Sequence, residues 1–111
     1  MTTRYIETID GFGILFEAEQ EHISARQHFI RDCGWTDSQY RKIKDFAWFT
    51  ARVSAWKNGV ELASQYLGAC SYRTIEEFYT KYHDDYFAQM ARDCVDQAVT
   101  IECTQRAYKT A

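Results

Sequence analysis

The sequence predicts an α+β fold in which two β-hairpins form an antiparallel sheet and helices pack on one face, in the order ββααββαα. Turn signals at residues 10–13 and at Asn58-Gly59 each divide a segment in which apolar and polar residues alternate. After each hairpin the apolar residues recur with a helical period, behind residues that can cap a helix. With 111 residues, 46% of them hydrophobic, the chain is expected to form a single domain over residues 1–111.

The first hairpin is predicted from two alternating segments. Residues 3–9 alternate and include β-branched and aromatic types, which favours a short strand. Residues 14–21 place apolar side chains and glutamates on opposite faces, as is typical of a half-buried antiparallel strand. The apolar face holds Ile14, Phe16 and Ala18, and the other face holds Glu17, Glu19 and Glu21.

Two helices are predicted between the hairpins. Ser24 can cap the first helix and Thr36 or Asp37 the second. Gly34 lies where a left-handed residue would end the first helix. The residues predicted to face inward are Ala25, Phe29, Ile30 and Cys33 in the first helix and Tyr40, Ile43 and Phe46 in the second.

The second hairpin is predicted around Asn58-Gly59, because a type I′ turn requires positive φ at both central residues. Before the turn, alternation separates an apolar face from a mixed face. The apolar face holds Phe49, Ala51, Val53 and Ala55, and the mixed face holds Thr50, Arg52, Ser54 and Trp56. The alternation weakens after Tyr66, and Gly68 indicates a bulge, a bend or a close backbone approach.

Two more helices are predicted at the C-terminal end. Thr74 and Glu77 form a capping-box pattern for the first, and the corner His83-Asp84-Asp85 is expected to precede the second. Residues after about 104 are polar and are expected to fray. The apolar stripe of the last helix comprises Phe87, Met90, Ala91, Cys94, Val95, Ala98 and Ile101.

The charge and hydropathy of the chain narrow the function classes. A net charge of −3 gives little reason to expect nucleic-acid binding, which relies on clustered lysine and arginine. The sequence contains neither an apolar run long enough to span a bilayer nor a signal-peptide core. We therefore expect a cytoplasmic protein without membrane contact, whose four cysteines are reduced thiols.

The reactive residues of the sequence do not form a familiar catalytic or metal-binding pattern. The cysteines lack the close spacing of structural zinc ligands, so no metal and no cofactor is expected. Cys70 and His83 could form a nucleophilic pair, but no motif for an oxyanion hole accompanies them. The acidic pairs Glu76-Glu77 and Asp84-Asp85 are explained by their places near helix starts, where the helix dipole stabilises negative charge. No catalytic residue is therefore assigned.

Aromatic and basic residues around the second hairpin indicate a binding surface. Eighteen aromatic residues are many for a chain of this length, and tryptophan and arginine are enriched at binding hot spots. The outward-facing residues of the second hairpin are the natural place for such a surface. The predicted binding residues are Trp56, Arg52, Trp48, Tyr66 and Tyr72.

Three stretches resemble small accessory proteins carried by phages, prophages and plasmids. They are Tyr66-Leu67-Gly68-Ala69-Cys70-Ser71-Tyr72, Glu76-Glu77-Phe78 and Asp85-Tyr86-Phe87-Ala88-Gln89-Met90, and the likeness spans roughly residues 47–98. The resemblance implies that the chain is encoded by a mobile genetic element. Small accessory proteins of such elements often bind host proteins, and anti-CRISPR and antirestriction inhibitors are among them. It supplies no site residues.

The leading hypothesis is therefore a non-enzymatic protein-binding accessory protein, in one form an inhibitor of a host CRISPR or restriction complex. The expected partner is a host or phage protein, and a homodimer stays open. Two alternatives come from other classes: a small cysteine-dependent enzyme that uses Cys70, and an accessory protein associated with nucleic acid.

Overall fold

The chain forms a four-stranded antiparallel sheet with helices packed against it, which confirms the predicted α+β class. The computed structural model describes residues 2–80 and 86–110. The strands are β1 (Thr2–Ile9), β2 (Phe12–Glu19), β3 (Ala47–Lys57) and β4 (Val60–Tyr72), and they lie side by side in chain order. The helical elements are a π-helix (Gln27–Asp32), α1 (Asp37–Arg41), α2 (Ile75–Tyr79) and α3 (Tyr86–Thr110).

Both predicted hairpins are present, and each closes through two residues with positive φ. Asp10 and Gly11 have φ of 52° and 86°, and Asn58 and Gly59 have φ of 54° and 75°. Positive φ at both central residues defines a type I′ turn, whose twist matches that of the flanking strands. The two hairpins then join through antiparallel pairing of β2 with β3.

The core lies between α2, α3 and the sheet face that we call the inner face. Phe16 of β2 is fully buried and stacks on Phe78 of α2, with 5.5 Å between the ring centroids. Complete burial of one such side chain contributes roughly 1.5–3 kcal/mol. The predicted apolar face of β3 is buried here, and α3 adds Phe87, Met90, Ala91, Cys94, Val95 and Ala98.

All three irregularities in the sheet place the extra residue on an edge strand. In β1 the register shifts between Tyr5 and Glu7. In β4 one shift lies opposite the step from Ala55 to Trp56, and the other lies at residues 67–70. At the second site, Gly68 and Ala69 stand opposite the single residue Thr50, a bulge that agrees with the indication from the sequence.

The helical pair between the hairpins differs from the prediction. The first helix widens into a π-helix, in which the Cys33 N–H donates to the His28 carbonyl, five residues earlier, at 3.0 Å. This wider turn shifts the helical period, so that Cys33 is exposed and the prediction that it faces inward is wrong. Thr36 caps α1 in a complete capping box with Gln39, but α1 ends at Arg41 and residues 42–45 form turns.

The C-terminal helices begin much as predicted. The Thr74 hydroxyl accepts a hydrogen bond from the Glu77 N–H at 3.4 Å, while the Glu77 carboxylate accepts from Arg73 instead of Thr74. The predicted corner at residues 83–85 lies outside the described residues. Over residues 2–80 and 86–110, no helix has both the length and the apolar character needed to cross a membrane.

Candidate protein-binding surface

The candidate surface is the outer face, the side of the sheet opposite α2 and α3. Strand pairing aligns its side chains in rows, one of which runs through Thr3, Glu17, Arg52 and Tyr66. Four of the five predicted binding residues lie on this face: Arg52, Trp56 and Tyr66 in its open part, and Trp48 at one end. The structure therefore brings Arg52 and Tyr66, which the sequence separates by 14 positions, into contact.

Arg52 occupies the centre of the outer face and is held from three sides. Its Nη1 donates to Glu17 Oε1 at 3.0 Å, and its Nε donates to the Tyr66 hydroxyl at 2.8 Å. Its Nη2 donates to Glu61 Oε1. The guanidinium carbon also lies 5.6 Å from the centroid of the Tyr66 ring, within the range of a cation–π contact. The two neighbouring strands, β2 and β4, thus fix one side chain of β3.

These contacts compensate the burial of the charged Arg52 guanidinium, since only 15% of its side chain is exposed. Burial disfavours the guanidinium cation, but the hydrogen bonds to Glu61 and Tyr66 outweigh burial and raise the pKa of Arg52 above its ordinary value. The two carboxylates remain partly open, with 22% of the Glu17 side chain and 32% of the Glu61 side chain exposed. The centre of the outer face is therefore ordered and carries one net negative charge.

Aromatic side chains occupy both sides of this centre. The Trp56 indole N–H donates to the Ser54 hydroxyl at 2.8 Å, and Ser54 is fully buried although it belongs to the outer face. Tyr5 on β1 lies next to Gly13, where an added Cβ would meet its ring at 3.4 Å. Tyr5 and Tyr66 remain 61% and 59% exposed, which makes them the most accessible aromatic groups on this face.

Trp48 lies at one end of the outer face, where the helical pair covers it. Its indole N–H donates to the Ile23 carbonyl at 2.7 Å, and its ring lies 5.4 Å and 5.6 Å from the rings of His28 and Phe29. Trp48 is half-buried and links the π-helix to the sheet. Its described contacts are thus internal to the chain.

Tyr72 lies on the inner face, away from the other predicted binding residues. Its ring lies 5.4 Å from that of Phe78 and 6.2 Å from that of Phe49, both of which belong to the core. Tyr66 and Tyr72 are six residues apart and would share a face in a regular strand. The bulge at Gly68 and Ala69 adds one residue between them and sends them to opposite faces.

Glu21 holds this bulge in place. Its Oε2 accepts hydrogen bonds from the Ala69 N–H at 2.7 Å and from the Thr50 hydroxyl at 2.9 Å, and its Oε1 accepts one from the His22 N–H at 2.9 Å. Ala69 has a φ of 56°, a left-handed conformation that alanine rarely adopts. The hydrogen bond from Ala69, with those from Thr50 and His22, lowers the pKa of Glu21, although partial burial acts to raise it.

Sequence reasoning did not identify Tyr5, Glu17 and Glu61 as residues of the candidate binding surface. The alternation in residues 14–21 placed Glu17 opposite the apolar residues, but nothing local indicates which arginine it meets. The neighbourhood arises because β2 and β4 flank β3, a strand order that had to be observed. The only indication of an acidic surface in the sequence was the alternation of Glu17, Glu19 and Glu21 along one face of the strand.

The cysteines occupy two environments. Cys94 is fully buried, and its thiol donates to the Val53 carbonyl at 3.2 Å; burial raises its pKa to about 11. Cys70 is 3% exposed and its thiol donates to the Leu67 carbonyl at 3.3 Å. Cys33 and Cys103 are exposed, and the Cys33 sulfur lies 3.6 Å from His28 Nε2. His83, the predicted partner of Cys70, falls outside the residues that the structure describes.

Among residues 2–80 and 86–110, no group of three or more cysteine, histidine or acidic side chains is arranged to hold a metal ion. A cleft of about 460 Å³ lies beside β4, between residues 67–72 and the aromatic side chains of the helical pair. Comparison of the chain with protein-family models, curated proteins and solved structures finds no match.

Proposed function

We propose that this chain is a non-enzymatic protein-binding accessory protein of a phage or mobile element, which acts in the host cell by occupying a surface of a host or phage protein. The observation that carries the proposal is the state of the outer face. Its centre is fixed by the Arg52 contacts, yet Tyr5 and Tyr66 on either side remain about 60% exposed. Tyrosine and arginine are enriched at protein interfaces.

The fixed centre favours binding because little conformational freedom is left to lose. Each rotamer-rich side chain ordered at an interface costs about 0.5–1.5 kcal/mol. Arg52 already occupies a defined position through hydrogen bonds to neighbouring strands, and Trp56 through a hydrogen bond to Ser54 of its own strand. A partner would therefore meet a preformed surface, on which the two exposed tyrosines supply contact area with few rotatable bonds.

Inhibition of a host CRISPR or restriction complex is the specific form of this function that the resemblance over residues 47–98 suggests. An inhibitor that blocks a surface needs complementarity and no reacting group. The corresponding test expresses the chain in cells that carry a defined defence system and measures phage plating. Restored plating supports the proposal for that system. If the variant Tyr5→Ala/Tyr66→Ala fails to restore plating, the inhibition is assigned to the outer face.

The central experiment is affinity purification of a partner with the tagged full chain. The variant Tyr5→Ala/Tyr66→Ala removes the exposed rings, and Tyr86→Ala serves as a matched control because Tyr86 is 57% exposed at the start of α3. The proposal expects a partner that the control retains and the double variant loses. Equal retention by both variants would contradict the assignment of the outer face.

The tyrosine variants are preferred to Arg52→Ala and Trp56→Ala for a physical reason. Removal of Arg52 would break all three hydrogen bonds at the centre of the face, whereas Tyr66→Ala breaks one of them and leaves those to Glu17 and Glu61. Trp56 likewise contacts the buried Ser54, and its removal would leave that hydroxyl without its indole partner. A thermal denaturation curve for each variant shows whether loss of binding is separate from loss of stability.

A further inference from the structure

The outer face carries an excess of negative charge. Glu17, Glu19 and Glu61 lie on it beside Arg52, and Glu21 lies at its end, where it contacts Thr50. These four carboxylates and one guanidinium have a summed charge of −3. The surface with the two exposed tyrosines is therefore also a concentration of negative charge.

The two carboxylates that hold Arg52 retain binding capacity. Arg52 contacts Oε1 of Glu17 and Oε1 of Glu61, and within residues 2–80 and 86–110 the second oxygen of each accepts no hydrogen bond. An ionised carboxylate offers about four acceptor positions over its two oxygens. Both side chains are partly exposed, so an incoming cation can reach them.

The contacts of Arg52 show how the face accommodates a guanidinium. The group is held by carboxylates and lies over the ring of Tyr66. A second guanidinium arriving from solvent would find the same chemistry: the remaining carboxylate oxygens, the carboxylate of Glu19 and the exposed tyrosine rings. Paired hydrogen bonds and stacking are the contacts for which arginine is better suited than lysine.

We infer that the outer face binds a basic segment of a partner protein, whose arginine side chains pair with Glu17, Glu19 and Glu61 and pack on Tyr5 and Tyr66. This inference rests on the proposed function and specifies its partner. The negative charge would repel the phosphates of a nucleic acid. A purely apolar partner would have to desolvate the carboxylates without pairing them, at a cost in free energy.

The test uses the full chain and, as a probe, a short peptide of alternating arginine and serine, with a glutamate-for-arginine peptide and an oligothymidylate as comparison ligands. Fluorescence anisotropy measures affinity, and amide chemical shifts map the site. The variant Glu17→Gln/Glu19→Gln removes two charges from the face, and Asp93→Asn/Asp96→Asn removes two from α3 as the control. We expect the arginine peptide to shift the amides of β2 and β4 and the outer-face variant to weaken its binding about three- to tenfold, since each exposed ion pair contributes about 0.2–1 kcal/mol.

Three outcomes would overturn the inference: equal binding of the two peptides, equal weakening by both variants, or tighter binding of the oligothymidylate. Applied to a partner captured as described above, the same variants separate the two proposals. A partner lost from Tyr5→Ala/Tyr66→Ala but retained by Glu17→Gln/Glu19→Gln leaves the outer face as a binding surface and refutes the basic partner. A partner retained by both variants refutes both.

Discussion

The contact between Glu21 and the β4 bulge can be tested by replacing Glu21 with alanine. The substitution removes a carboxylate that accepts hydrogen bonds from Ala69, Thr50 and His22. Hydrogen bonds to charged groups contribute about 1.5–3 kcal/mol each, and those of a partly exposed group fall at the low end of that range. The two non-local bonds, to Ala69 and Thr50, therefore predict a loss of about 3 kcal/mol in the free energy of unfolding.

Urea denaturation followed by far-UV circular dichroism measures this loss, and a thermal scan should show Tm lowered by roughly 10 °C. Glu19→Gln is the control, because the Glu19 side chain lies on the same face and makes no hydrogen bond or ion pair within the described part of the chain. A loss below about 0.5 kcal/mol for Glu21→Ala, within the usual range for surface substitutions, would refute the role assigned to Glu21.

The same contact predicts a pH dependence. The pKa of Glu21 is lowered in the folded protein relative to its ordinary value of 4.5, so its contribution is fully present above that value and is lost as pH falls through the lowered pKa. Glu21→Gln lacks this contribution at every pH. The stability difference between the parent protein and this variant should therefore shrink on acidification from pH 7 to pH 3, and a constant difference would show that ionisation of Glu21 plays no part.

Two further predictions concern Arg52 and the thiols. Arg52→Lys should lower the free energy of unfolding by about 1–2 kcal/mol in urea denaturation, because a lysine ammonium cannot reproduce the three-sided contacts of the guanidinium; an unchanged midpoint would refute this. In the native protein an alkylating reagent should modify Cys33 and Cys103, and it should reach Cys70 and Cys94 only after denaturation. Mass spectrometry counts the modified cysteines. Rapid labelling of Cys70 in the native protein would favour the alternative of a cysteine-dependent enzyme.

Local features of the fold were predictable because short segments determine them. Asp10-Gly11 and Asn58-Gly59 specify their turns through positive φ, whatever lies elsewhere in the chain. Thr36 and Thr74 likewise cap helices that begin at the next residue. These signals were sufficient for the α+β class and the order of its elements.

The candidate site was only partly predictable because it depends on contacts between distant residues. Ala69 and Glu21 are 48 positions apart, and no local pattern links them. The bulge that they stabilise determines which side of the sheet Tyr72 occupies, since regular alternation would place Tyr72 on the same face as Tyr66. The π-helix that exposes Cys33 similarly departs from the helical period used to predict its direction.

The bulges of β1 and β4 also bear on how the protein behaves when many copies are crowded together. An uninterrupted edge strand offers a row of N–H and C=O groups on which a strand of another chain can assemble, which is a route to fibrils. Here the extra residues interrupt both outer strands, while the two central strands stay regular. Strands of other copies therefore have difficulty pairing with the edges of the sheet. A chain made in large amounts can leave its outer face open without offering its edges for aggregation.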